Sequence, residues 1–152
     1  IGIDINSERY LIPVHKQTKK TENKKAENQV NSTVKSLHLD SSVPLIKIAY
    51  ARSGDKGDHA NIGIIARKPE YLPFIKNALN STTISAFFNH VLKGSIEVWD
   101  VPGISGINFL LKHSLGGGGM ASFNIDPQGK AYAQQILEYE IPITSHLANK
   151  LN

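Results

Sequence analysis

The chain has 152 residues, a formal net charge of +4 and no cysteine, and that length suits one domain with an appendage better than two domains. Without cysteine there is no disulfide, no thiolate nucleophile and no Cys-ligated zinc or iron–sulfur centre, and a cytoplasmic compartment fits. Residues 1–40 hold seven Lys/Arg against five Asp/Glu and the rest ten against eight, so no segment reads as a polyanion footprint and no nucleic-acid partner is expected.

Residues 1–16 carry the alternation Ile1, Ile3, Ile5 and the apolar run Tyr10 to Val14. The alternation reads as a strand. Too little follows to bury it, and the chain begins with Ile rather than Met, so a remnant of an upstream domain is expected. Residues 17–42 are polar, and the lysines from Lys16 to Lys25 are interleaved with Gln, Thr, Glu and Asn but no aromatics. The whole of 1–42 therefore reads as a solvated leader, disordered over most of its length.

The apolar content is concentrated after Val43. Val43 to Ala51 reads as a strand with Pro44 at its start. Arg52 to Ala60 is a charged, glycine-containing loop, and Asn61 to Ala66 a second strand. Pro69 opens a helix. Another begins near Ser81 or Thr82, either of which can cap it, with Ile84, Phe87, Phe88, Val91 and Leu92 as its inner stripe. Ile96 to Val101 reads as a third strand, and Ile104, Ile107, Leu111 and Leu115 mark a short helix. Met120 to Ile125 reads as a fourth strand. Asp126-Pro127 caps a helix with Ala133, Ile136 and Leu137 inside, and Tyr139 to Ile143 adds an edge strand. The expected domain is 43–143, with 144–152 as a tail. The predicted class is α+β, a ferredoxin-like two-layer sandwich variant with a mixed or antiparallel sheet covered by helices. No apolar run approaches the roughly 20 residues of a membrane span, so no membrane partner is expected.

The segment Arg52-Ser53-Gly54-Asp55-Lys56-Gly57-Asp58 is the first candidate site. Glycines there let successive backbone N–H groups face one anion, and Arg52 and Lys56 add charge. Asp55 and Asp58 can orient those cations, hold a divalent metal, or act as acid and base beside Lys56. The competing reading is a hairpin tip whose charges face water. The run Gly116, Gly117, Gly118, Gly119 is the second candidate: it forms either a backbone-lined surface that binds a ligand or contacts another chain, or a close packing against the first loop. Asn61 borders the first loop. Asn108, beside an apolar stripe, must be hydrogen-bonded and reads as a brace or a ligand contact. Asp126 is foremost a cap. Lys130 is misplaced in a helix first turn, which points to a partner for it, Asp55, Asp58 or a bound anion. His15, His38, His59, His90, His113 and His146 show no metal-ligand spacing, so no metal site is expected.

The strings ARSGDKGD (51–58), ANIGI (60–64), PGISGINF (102–109), LGGGGM (115–120) and DPQGK (126–130) resemble the C-terminal ferredoxin-like domain of AtuA-like, or acyclic terpene utilisation, proteins over about residues 43–143. The resemblance implies a domain that follows a larger N-terminal domain, or is encoded separately from it, in bacterial breakdown of terpenoid alcohols through CoA-linked acids. It transfers no reaction and no catalytic residues, and it leaves the cofactor open.

Three readings follow. One is an accessory domain that docks on a larger AtuA-like partner, in cis or trans, and contributes its charged loop to a site for an anionic ligand such as an acyl-CoA. Another is a stand-alone binding or regulatory module that self-associates. The third is a small enzyme using Asp55 or Asp58 with Lys56.

Overall fold

The computed structural model describes residues 2–5, 8–11 and 38–151. Strand β1 (Gly2–Ile5) pairs antiparallel with β2 (Glu8–Leu11), so the isoleucine alternation does form a strand. Positions 17–37 of the expected leader lie outside the described residues. Its last two residues, Ser41 and Ser42, instead open strand β3 (Ser41–Pro44).

The single strand expected over 43–51 is broken after Pro44 by a 3-10 turn, Leu45–Lys47. Leu45 and Ile48 are both fully buried. Residues three apart in a straight strand would face opposite sides, and the turn brings both into the core. Strand β4 (Ala49–Lys56) then forms a hairpin with β5 (His59–Ala66), in register from Ala49 opposite Ala66 to Lys56 opposite His59. The polar segment expected as a loop is therefore mostly strand. Only Gly57 and Asp58 make the turn, with Gly57 at φ +66°. Ser53 continues the inward row begun by Ala49 and Ala51, and is itself buried.

Helices α1 (Leu72–Ala78) and α2 (Ser81–Phe87) follow. The cap of α2 is Asn80, whose Oδ1 accepts the Thr83 N–H at 2.9 Å, rather than Ser81 or Thr82. Strand β6 (Ile96–Val101) pairs with β7 (Gly106–Leu111), where a helix was expected. Ile107 and Leu111 fit a helical stripe, but Ile107, Phe109 and Leu111 alternate and are all buried. That two-residue period is the one the fold uses. No strand forms over 120–125. Gly119–Ala121 is a 3-10 turn, and Met120, Phe123 and Ile125 are wholly exposed.

Helix α3 (Tyr132–Leu137) leads to β8 (Glu140–Ile143), which pairs with β3 and not with the main sheet. The expected tail carries helix α4 (Ser145–Asn149), capped by Thr144, and Leu147 reaches the core. The folded unit thus extends past 43–143 on both sides.

The main sheet has the order β4-β5-β7-β6 and is antiparallel throughout. Its inner face, with Ile62, Ile64, Ile107 and Phe109, packs on Ile75 of α1, Ile84 of α2 and Ile136 of α3 in one buried cluster. This is the expected α+β two-layer arrangement. No described helix covers the outer face. Tyr50, Ile65, Trp99 and Val101 there are 58%, 40%, 45% and 36% exposed, a row of large apolar groups that solvent alone does not explain.

Candidate functional site

Pairing register sorts the outer face into rows. Tyr50, Ile65, Gly106 and Val101 lie side by side across four strands. The next row is Arg52, Gly63, Asn108 and Trp99, and the one after begins with Gly54 and Asn61. Successive rows are about 7 Å apart, two strand residues.

Strand β4 is a sheet edge, and Lys130 folds round it. Its backbone carbonyl accepts the Ser53 hydroxyl at 3.1 Å on the inner side. Its Nζ lies 3.3 Å from where a Cβ of Gly54 would stand, on the outer side. Gly54 is thus a gap in the edge that admits the lysine. Arg52, Ser53, Gly54, Asp55, Lys56, Asn61, Gly63 and Lys130 together line an open hollow of about 380 Å³. Three cations and one carboxylate line it. Among the described residues, no ion pair engages any of the four. Such an excess of positive charge beside bare backbone is suited to an anion.

Several expected site residues stand elsewhere. The Ser53 hydroxyl is already committed: it donates to Lys130 O and accepts the Ala133 N–H at 2.9 Å. Asn108 is on the outer face and not beside the glycine run; its Nδ2 donates to Asn61 Oδ1 at 2.9 Å. It braces the floor of the hollow. Lys130 precedes α3 and does not sit in its first turn. Asp126 caps that segment, accepting the Lys130 and Ala131 N–H groups at 3.0 and 2.7 Å.

The glycine run packs against the hairpin turn. Gly116 to Gly119 all have positive φ, and a Cβ on Gly118 would overlap the Gly57 carbonyl group. Asp58 fastens the two together. Its Oδ1 accepts the Gly117 N–H at 2.6 Å and its Oδ2 meets His113 Nδ1 at 2.8 Å. The Gly117 N–H, followed by His113, holds the Asp58 carboxyl below its ordinary value.

Sequence spacing hides one grouping: Asp58, His59 and His113 bring their ligand-type atoms within 4.8 Å of one another, where no cluster was expected. His59 Nδ1 accepts the His113 N–H at 3.0 Å, so a neutral His59 ring carries its proton on Nε2. Both Asp58 oxygens are also engaged. The cluster therefore works as a clasp between turn and glycine run.

A depressed folded-state pKa contributes stability that is present above the unfolded value and is lost as pH falls through the folded one. The melting temperature should fall on acidification below about pH 4, and Asp58→Asn should flatten that part of the profile. A parallel pair of curves from pH 7 to 2 for the two proteins would contradict the clasp.

Reasoning from sequence missed Gly63, because a glycine inside a strand reads as a packing feature. The alternation around it, with Ile62 and Ile64 buried, was the signal that places it outward. It also missed Tyr50, Ile65, Val101 and Ile104, which read only as parts of strands and of a short helix.

Among the described residues, no helix is long and apolar enough to cross a membrane. Compared with known proteins, residues 43–142 match the family model described as the AtuA ferredoxin-like domain. Neither the curated proteins nor the solved structures contain a match to the chain.

Proposed function

Since the chain belongs to the AtuA ferredoxin-like domain family, we propose that it is an accessory domain that presents the Arg52/Lys56/Lys130 hollow to an anionic ligand. In this reading the domain works with a larger AtuA-like partner, in cis or trans, and the ligand arises in acyclic terpenoid breakdown, where an acyl-CoA is one anionic form. The supporting observation is the placement of Lys130. A side chain remote in sequence is threaded round an edge strand to join Arg52 and Lys56 over Gly54.

A self-contained binding module is the second reading: Arg52, Lys56 and Lys130 all line one hollow of this domain. The enzyme reading is weakened at Asp58, whose two oxygens are held by Gly117 and His113. Asp55 remains the one carboxylate lining the hollow.

Thermal unfolding of the whole chain against phosphate, free CoA and CoA esters tests the proposal. A ligand at 100 times its dissociation constant should add about 2.7 kcal/mol. Lys130→Ala should weaken binding at least about tenfold, the worth of one charge-assisted hydrogen bond, without lowering the melting point of the free protein. Absence of any shift with every anion would overturn the anion site. A shift with the isolated chain, and no effect of the partner on affinity, would favour the self-contained module.

A further inference from the structure

The cationic hollow does not end at Arg52. A second hollow of about 260 Å³ shares Arg52 and Gly63 with it and runs the other way along the outer face. Its walls are Tyr50, Ile65, Val101 and Ile104, and its floor is the backbone of Gly63 and Gly106 with the Asn108 amide beside Gly63. Tyr50 and Ile104 are 58% and 54% exposed, so large apolar side chains stand open to water around a trough that two glycines keep empty. The first hollow is cationic and the second mainly apolar, with the Arg67 guanidinium stacked 3.9 Å over the ring of Tyr50 at its far wall, and Arg52 and Gly63 belong to both hollows.

Resting on the anion reading above, we infer that the ligand is a free amphiphilic anion, an aliphatic chain with its charge on the terminal group. The charge sits at Arg52 and Lys130, and the chain lies in the trough over Gly63 and Gly106. Row spacing decides the class. The apolar row of Tyr50 and Ile65 is one step, about 7 Å, from the row of Arg52 and Gly63. Charge and chain must therefore be directly joined. A CoA ester does not meet this condition, because its long pantetheine arm separates the phosphates from the acyl group. A free aliphatic carboxylate or a monoalkyl phosphate does.

Calorimetric titration of the whole chain with inorganic phosphate, acetate, butanoate, octanoate, CoA and octanoyl-CoA provides the test. Each methylene that enters the trough should tighten binding about fourfold, the equivalent of about 0.8 kcal/mol. Octanoate should bind at least about tenfold tighter than butanoate, and octanoyl-CoA no tighter than CoA. Ile104→Ala, which lowers one wall of the trough, should reduce the gain with chain length. If phosphate and acetate bind but octanoate gains nothing, or if octanoyl-CoA outbinds octanoate, the amphiphile is wrong and the anion site stands. If neither phosphate nor any carboxylate binds, the anion site falls and this inference with it.

Discussion

Gly118→Ala should destabilise the domain by about 3 kcal/mol or more and lower its melting temperature by roughly 15 °C. Two costs add. Gly118 sits at φ +69°, ψ 166°, a region that only glycine occupies without strain. Its new Cβ would also stand 2.7 Å from the Gly57 carbonyl carbon, which belongs to the hairpin turn and not to a flexible side chain. The turn would have to retreat, and the Asp58 bond to the Gly117 N–H would be stretched with it. Gly119→Ala is the internal comparison. Gly119 also has positive φ, +47°, but a Cβ there meets nothing within 4 Å, so about 1 kcal/mol is expected. Equal losses in the two variants, measured by denaturant unfolding, would mean that the turn does not rest on the glycine run.

That comparison shows which parts of the molecule were legible beforehand. A run of four glycines stood out because its conformational cost is large, and packing against the hairpin turn was one of its two readings. Its partner was correctly placed but wrongly described. Arg52 to Lys56 looks like a loop because charge and glycine are dense there. Yet on an outer sheet face charge and glycine are compatible with strand, and the inner residues Ala51 and Ser53 are small enough to hide the alternation. The same blindness produced the helix expected over Ile104 to Leu115. Positions 104, 107 and 111 satisfy a helical period and positions 107, 109 and 111 a strand period; only the pairing of β7 with β5 and β6 decides between them. The clasp of Asp58, His59 and His113 carries no sequence signal at all. His59 and His113 are far apart in the chain, and the register that joins them is a tertiary fact. Lys130 was not legible: a partner was expected for it from a place in the first helical turn, but the residue precedes α3 and its side chain lies past Gly54 instead.

Ser53→Ala joins the fold to the proposed site. The side chain is buried, and its hydroxyl donates to Lys130 O and accepts the Ala133 N–H. Removing it leaves the N–H of Ala133, itself 1% exposed, without a partner, which should cost about 2 kcal/mol. The hydroxyl has no hydrogen-bonding capacity aimed at a ligand, yet anion affinity should fall, because the backbone that aims the Lys130 side chain across Gly54 is released. Lys130→Ala should show the opposite division, with affinity lost and stability kept. The double variant separates direct from indirect action. If Ser53 acts by positioning Lys130, Ser53→Ala should subtract little further affinity once Lys130 is already alanine, while its stability cost persists in full. Additive losses of affinity would instead mean that the Ser53 hydroxyl meets the anion itself, and that the hollow is read from its floor as well as from its rim.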